Sequence, residues 1–412
     1  MSAARFLLPL ILGLFFLGCS PAPKEPVFSP ERAGEDLPEK TGEPLTAVSG
    51  PPTEDPRFRD YREQARSLAA ALDDRNLTAQ VIITGIDGKG ALTAPMEEIL
   101  RDVPAGGAML FRHNLDTDPA GVRSFTAEIS RIIRDGEEPG IAPFIAVDHE
   151  GGQVHRFGPG VGRLPSPLSY WELAQREGRD RALGAVREGA RQSGRELRGL
   201  GITLNFAPVV EALTGGNRPF LEDRSYGPEG EFTQAAAAAF IRGMEEGGIP
   251  CVVKHFPGNT ATDPHRGVPV LTQDRGALDL MVRPFTGLIR EIPLSGIMVS
   301  HVLVLSRDPE RNASLSPAVI RDWLRGELGF SGMVLTDDFS MEAAAAPGRG
   351  EGDAAVEALI AGADMVMAWP ATLRRTHRAV LRALEDGRLP RERLREAAER
   401  ILFEKLRFGI FP

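Results

Sequence analysis

Eight short runs of β-prone apolar residues constrain the fold of this chain more than any other feature. They lie at 80–84, 107–111, 144–147, 203–206, 251–254, 296–300, 333–336 and 365–368. Longer stretches with helical spacing separate them, such as 234–246 with its alanine run, and 354–361. Strands that alternate with crossover helices pair in parallel, and eight such units close as a (β/α)8 TIM-type barrel. The alternative is a doubly wound open sheet, but no G-x-G-x-x-G follows the first run to support a dinucleotide-binding version. A last helix is expected over about 391–406, after Pro390. The predicted class is α/β, a single barrel over residues 56–412.

A barrel gathers its active groups where the strands end. Here Arg112, His113 and Asn114 follow the second run, and Asp148-His149-Glu150-Gly151-Gly152 follows the third, with Arg156 shortly after. Glu211 follows the fourth run, His255 the fifth, His301 the sixth, and Asp337-Asp338 the seventh. Six of the seven histidines fall in these segments. Titratable groups are costly to bury without partners, so this clustering points to a polar pocket built from many loops. Asp337 is placed to face its mouth; the alternative is that Asp337 and Asp338 cap the next helix. Asp263 stands two residues before His265 across a stiff proline, and its carboxylate can orient the ring and raise its basicity. The alternative there is an exposed turn with an incidental histidine. Asp148, Arg156 and Lys254 suit the binding of vicinal hydroxyls, with Gly151 and Gly152 allowing close backbone approach to a ligand. They also suit a salt-bridge network bracing the barrel rim.

The first residues read as an address. Arg5 precedes an apolar run from Phe6 to Leu17, too short to span a bilayer and suited to a signal peptide. Leu17-Gly18-Cys19-Ser20 resembles the lipobox of bacterial lipoproteins, with Phe16 where the pattern usually has Leu. Cys19 is then the lipid-modified residue; the alternative is an ordinary secretory signal that contains a cysteine. Residues 19–55 are rich in Pro and Glu and read as a flexible tether. The expected organisation is a lipoprotein signal peptide over 1–18, the tether over 19–55 and the barrel over 56–412. The place is the bacterial cell envelope, with the membrane as a partner through the lipid anchor. Two cysteines exclude a disulfide scaffold, and Cys251, inside an apolar run, is expected to be a reduced core residue. A net charge of −9 argues against a nucleic-acid partner.

Taken together, five segments resemble the bacterial β-N-acetylhexosaminidases of glycoside hydrolase family 3, the NagZ group. They are Asp148-His-Glu-Gly-Gly-Gln-Val-His-Arg-Phe157, Asn205-Phe-Ala-Pro-Val-Val210, Asp223-Arg-Ser-Tyr-Gly227, Lys254-His-Phe-Pro-Gly258 and Thr336-Asp-Asp-Phe-Ser-Met341. They occur in the family's order. The resemblance implies a retaining glycosidase on one barrel, with Asp337 as nucleophile, His265 as acid/base and Asp263 as its partner. It implies that Asp148, Arg156, Arg224, Lys254 and His255 hold the sugar. The implied substrate is a terminal non-reducing β-linked N-acetylglucosamine, chiefly in peptidoglycan fragments carrying N-acetylmuramic acid. No cofactor and no metal is implied, and the barrel is expected to work as a monomer. The chain departs from the family pattern at four places. Gly258-Asn259-Thr260 stands for Gly-His-Gly, with a loop two residues shorter before Asp263. Pro264 stands for Ser, Gln153 for Arg and Glu211 for Asp. Competing readings are a metal-dependent barrel hydrolase, a non-catalytic lipoprotein that binds wall sugars, and a phosphorolytic enzyme.

Overall fold

The computed structural model describes residues 56–115, 118–136, 139–158, 160–341 and 350–410. The signal peptide, Cys19 and the tether lie outside the described residues. The first described element is a helix, Pro56–Ala71, which begins where the tether was expected to end.

All eight apolar runs form strands. They are β1 Ile82–Gly85, β2 Gly107–Leu110, β3 Phe144–Val147, β4 Leu204–Asn205, β5 Val252–Phe256, β6 Gly296–Val299, β7 Met333–Thr336 and β8 Val366–Ala368. Every residue in these strands is buried. That explains their continuous apolar sequence, since helices cover what would otherwise be the outer face of a parallel sheet. One sheet has the order β8-β1-β2-β3-β4 and the other β7-β6-β5, and every pairing in both is parallel. The register sets Ile83 against Gly107, Ala108 against Ile145, and Val334 against Ile297. Single parallel bridges join the outer strands of the two sheets, Asn205 to Cys251 and Leu335 to Met365.

The connecting helices follow from local signals. In Pro119–Asp135 the proline fits the first turn, where its missing N–H costs nothing. Asp118 Oδ1 accepts from the N–H groups of Ala120 and Gly121 at 2.8 and 2.9 Å. Val122, Phe125, Ile129, Ile132 and Ile133 then fall on one buried stripe. The last helix, Arg391–Arg407, packs against Pro56–Ala71 and buries Leu394, Ala397, Ile401 and Leu402.

Sequence spacing missed one element. After β5 the chain forms a two-residue strand, Val270–Leu271, parallel to Leu303–Val304, which pairs antiparallel with Asp308–Asn312. This small sheet lies outside the two main ones. The fifth run, expected over 251–254, extends to Phe256, so His255 and Phe256 are strand residues rather than loop residues. Cys251 is free and buried.

Candidate active site

A cavity of about 210 Å3 opens where the strands end. Asp337 and Asp338, directly after β7, line it together with Asp148, Glu150, Arg156, Arg224, Lys254, His255 and His265. Met109, Phe206 and Met298 supply apolar wall. Every expected catalytic and sugar-holding residue except Asp263 therefore faces one space, and Asp263 contacts His265.

The electrostatic centre is Lys254. Its Nζ lies 2.6 Å from Asp148 Oδ1 and 2.7 Å from Glu150 Oε1. Arg156 pairs with Asp148 Oδ2 at 3.1 Å. Arg224 grips Glu150 with two parallel bonds, Nε to Oε2 at 2.8 Å and a terminal nitrogen to Oε1 at 2.9 Å. Burial pushes the Asp148 carboxyl up, but Lys254 and Arg156 more than reverse this, so it stays below the usual carboxylate range. Burial likewise opposes ionisation of Glu150, and Arg224 and Lys254 overcome it. Glu150 was not among the expected site residues, although it sits inside the Asp148–Gly152 segment. The two readings of Asp148, Arg156 and Lys254 are thus compatible, because one charge network both braces the rim and lines the cavity.

Gly151 and Gly152 are required by the local backbone and packing. They adopt φ of 100° and 55°. A Cβ on Gly151 would meet the Pro165 carbonyl oxygen at 2.3 Å, and one on Gly152 would meet the Ser166 side chain at 2.6 Å. Their small size admits the 164–166 segment of the chain.

The acid–histidine pair forms as the spacing suggested. Asp263 Oδ1 lies 2.9 Å from His265 Nδ1 and accepts from the His265 backbone N–H at 2.9 Å. A carboxylate only accepts, so Nδ1 carries the proton and Nε2 is left free. Both side chains face solvent, His265 60% and Asp263 39% exposed, although His265 and Pro264 reach the cavity wall.

Asp337 and Asp338 point to different tasks. The Asp337 backbone N–H continues the ladder to the Val299 carbonyl at 3.1 Å, which holds its side chain at the strand end. The Asp338 carboxylate accepts from Trp369 Nε1 at 2.8 and 2.9 Å, and from the backbone N–H and hydroxyl of Ser340, both at 2.8 Å. Asp338 therefore braces a turn and an indole. His301 supports them from below. Its Nε2 lies 2.9 Å from the Asp338 carbonyl, so Nε2 is the donor, and Nδ1 accepts from the Ser314 hydroxyl at 2.7 Å. Burial lowers the His301 pKa despite the pull of Asp337, which keeps the ring neutral.

The clustered histidines do not share one pocket. Among the six, His255 and His265 line the central cavity. His149 and His155 pack in the core with Phe157, ring centroids 5.3 to 6.0 Å apart. Burial and the nearby His155 push the His149 pKa down to about 3, so it is a neutral core residue. His113 stacks on Phe111, and Phe111 on Trp369. Among the described residues, no three or more His, Cys, Asp or Glu side chains group as a metal site.

Residues 76–403 match the model of the glycosyl hydrolase family 3 N terminal domain. The chain is 38% identical over 282 residues to a protein named beta-hexosaminidase from Methylococcus capsulatus, covering 67% of this chain and 79% of that one. It is 32% identical over 368 residues to beta-hexosaminidase LpqI from Mycobacterium tuberculosis, covering 85% and 87%. It also resembles the solved structure of a family 3 beta-N-acetylglucosaminidase from Paenibacillus, with TM-score 0.76 and 31% identity over 82% of this chain. The match spans 63% of that larger protein. With strand-end carboxylates, a charge network and these relatives in agreement, the chain belongs to glycosyl hydrolase family 3, as one of its beta-hexosaminidase-like glycosidases.

Proposed function

We propose that this protein is a retaining exo-β-N-acetylglucosaminidase that removes terminal non-reducing N-acetylglucosamine from peptidoglycan-derived fragments. The observation that carries this reading is that Asp337 and His265 line the same small cavity as Asp148, Arg156, Arg224, Lys254 and His255. A cavity of about 210 Å3 suits a single sugar ring, hence removal of a terminal unit. The scaffold is read as one eight-stranded barrel, supported by the Asn205–Cys251 and Leu335–Met365 bridges between the two sheets.

The reaction has two steps. Asp337 attacks the anomeric carbon as the bond to the leaving oxygen breaks, and His265 Nε2–H gives that oxygen its proton. Asp263 holds the opposite ring nitrogen and stabilises the cationic ring before transfer. Neutral His265 then takes a proton from water at Nε2. The water oxygen bonds to the anomeric carbon, and the Asp337 carboxylate departs. Two inversions give net retention. A histidine suits both halves, because its ordinary pKa near 6.5 lets it donate and accept around neutrality. Its exposure implies that the 259–269 loop settles over bound sugar before proton transfer.

The same reading places the protein in the cell envelope, exported by residues 1–18 and held to a membrane through lipid on Cys19, with a monomeric catalytic part. Replacing Cys19 with Ala releases the protein into the soluble fraction on this account; continued dependence on detergent would reject the anchor. Proton NMR of the products from a N-acetylglucosamine–N-acetylmuramic acid disaccharide tests the reaction. The β-anomer of N-acetylglucosamine should appear first and then mutarotate. First appearance of the α-anomer would exclude a covalent Asp337 intermediate.

A further inference from the structure

We propose that Glu211 and Asn259 form a positioning pair that couples the sugar-holding wall of the cavity to the loop bearing the acid/base dyad. This rests on the roles given above to His265 and His255. The Glu211 carboxylate is buried, 3% exposed, and stands behind the cavity wall. It accepts four hydrogen bonds, all from two residues. Oε1 accepts from the His255 backbone N–H at 3.3 Å, from His255 Nδ1 at 2.8 Å and from Asn259 Nδ2 at 2.9 Å. Oε2 accepts from the Asn259 backbone N–H at 2.6 Å. A carboxylate offers about four acceptor sites, so these two residues satisfy it.

The consequence for His255 is definite. Its Nδ1 must donate to Glu211, so it presents Nε2 to the cavity it lines. The consequence for the loop is equally direct. Asn259 opens the segment that carries Asp263 and His265, and its main-chain and side-chain nitrogens are both tied to Glu211. The far end is pinned as well, because the Leu303 N–H donates to the Pro269 carbonyl at 2.9 Å and Val270–Leu271 pairs with Leu303–Val304. Between these pins the His265 and Asp263 side chains are solvent-facing. Of the three residues 263–265 only Pro264 is buried, so the fixed ends of the loop bear on where the two dyad side chains stand. One of those ends shares a carboxylate with a residue facing the sugar. A shift of His255 on sugar binding is therefore transmitted through Glu211 to Asn259.

The pair acts on proton donation, not on the nucleophile, and this separates it from a general structural role. A poor leaving group needs the acid, whereas an activated aryl leaving group departs with little help. In the full chain, Asn259→Ala should lower kcat on the N-acetylglucosaminyl disaccharide by about tenfold or more, a part of the roughly 100- to 10,000-fold that general acid catalysis supplies. Turnover and KM for the aryl β-N-acetylglucosaminide should stay within about threefold, and the alkaline limb of the disaccharide pH profile should flatten. Equal losses on both substrates, or wild-type rates on both, would overturn the coupling while leaving the proposed activity intact. No aryl release by the wild type would instead refute the activity. Hydrogen exchange then decides the coupling without turnover. Amides of residues 260–268 should exchange faster in Asn259→Ala, with helix Gly230–Glu246 unchanged as the control for folding. Unchanged exchange in the loop would reject the pair as a positioning device.

Discussion

Lys254 is 3% exposed, and its ammonium pairs with both Asp148 and Glu150. Removing one partner from a buried ion network leaves charge without compensation, at a typical cost of 3–5 kcal/mol. Lys254→Met should therefore destabilise by about 3 kcal/mol, the low end, because Arg156 and Arg224 still hold the two carboxylates. Urea denaturation checks this, and a loss below about 1 kcal/mol would mean that the network is worth no more than an exposed pair. The sign of the pH effect follows from the lowered pKa values of Asp148 and Glu150. Their contribution is complete above the unfolded values near pH 4 and is lost as pH falls through the folded ones. In Lys254→Met the folded values rise, so acid removes less stability from the variant, and its deficit against the wild type should shrink as pH falls below about 4. At this scale the dyad was legible, because Asp263 and His265 are two residues apart and meet through local geometry. Glu150 and Glu211 were not, because each acquires its role from partners 44 to 104 residues away, at His255, Asn259, Arg224 and Lys254.

Among the elements, the strands were legible for a physical reason. Buried on both faces, they admit apolar residues at every position, and their ends stand out as sudden polarity. The small outer sheet was not legible. Two of its strands have two residues each, and the third, Asp308–Asn312, has the composition of a turn. That sheet nonetheless pins one end of the acid/base loop. The helix caps were readable locally and carry their own prediction. Asp118→Ala removes two charge-assisted bonds from the start of Pro119–Asp135 and should cost about 1 kcal/mol. Thermal unfolding of the variant measures this. An unchanged midpoint would show that water caps the helix equally well.

Across the whole molecule, the join between β7 and β8 depends on one buried carboxylate. Asp364 is fully buried, accepts from the Val334 N–H at 2.9 Å, and pairs with Arg325, Arg393 and Arg400. Burial raises its pKa, and the three arginines more than offset that, so the net shift is downward. It thus links both strands to the last helix beside the Leu335–Met365 bridge. Asp364→Asn leaves three cations facing a neutral amide and should cost about 3–5 kcal/mol at pH 7. The deficit should shrink in acid, where the wild-type carboxylate also loses its charge. A deficit independent of pH would mean that shape, not charge, makes the join. The eight-strand pattern was readable at this scale, whereas the pairing of the two sheets' outer strands required coordinates. The catalytic account itself rests on Asp337. Incubating the full chain with an aryl β-N-acetylglucosaminide, beside Asp337→Asn, measures it most directly. The account predicts aryl release by the parent, none by the variant, and sugar binding retained by both. Release by the variant at the parent's rate would contradict it.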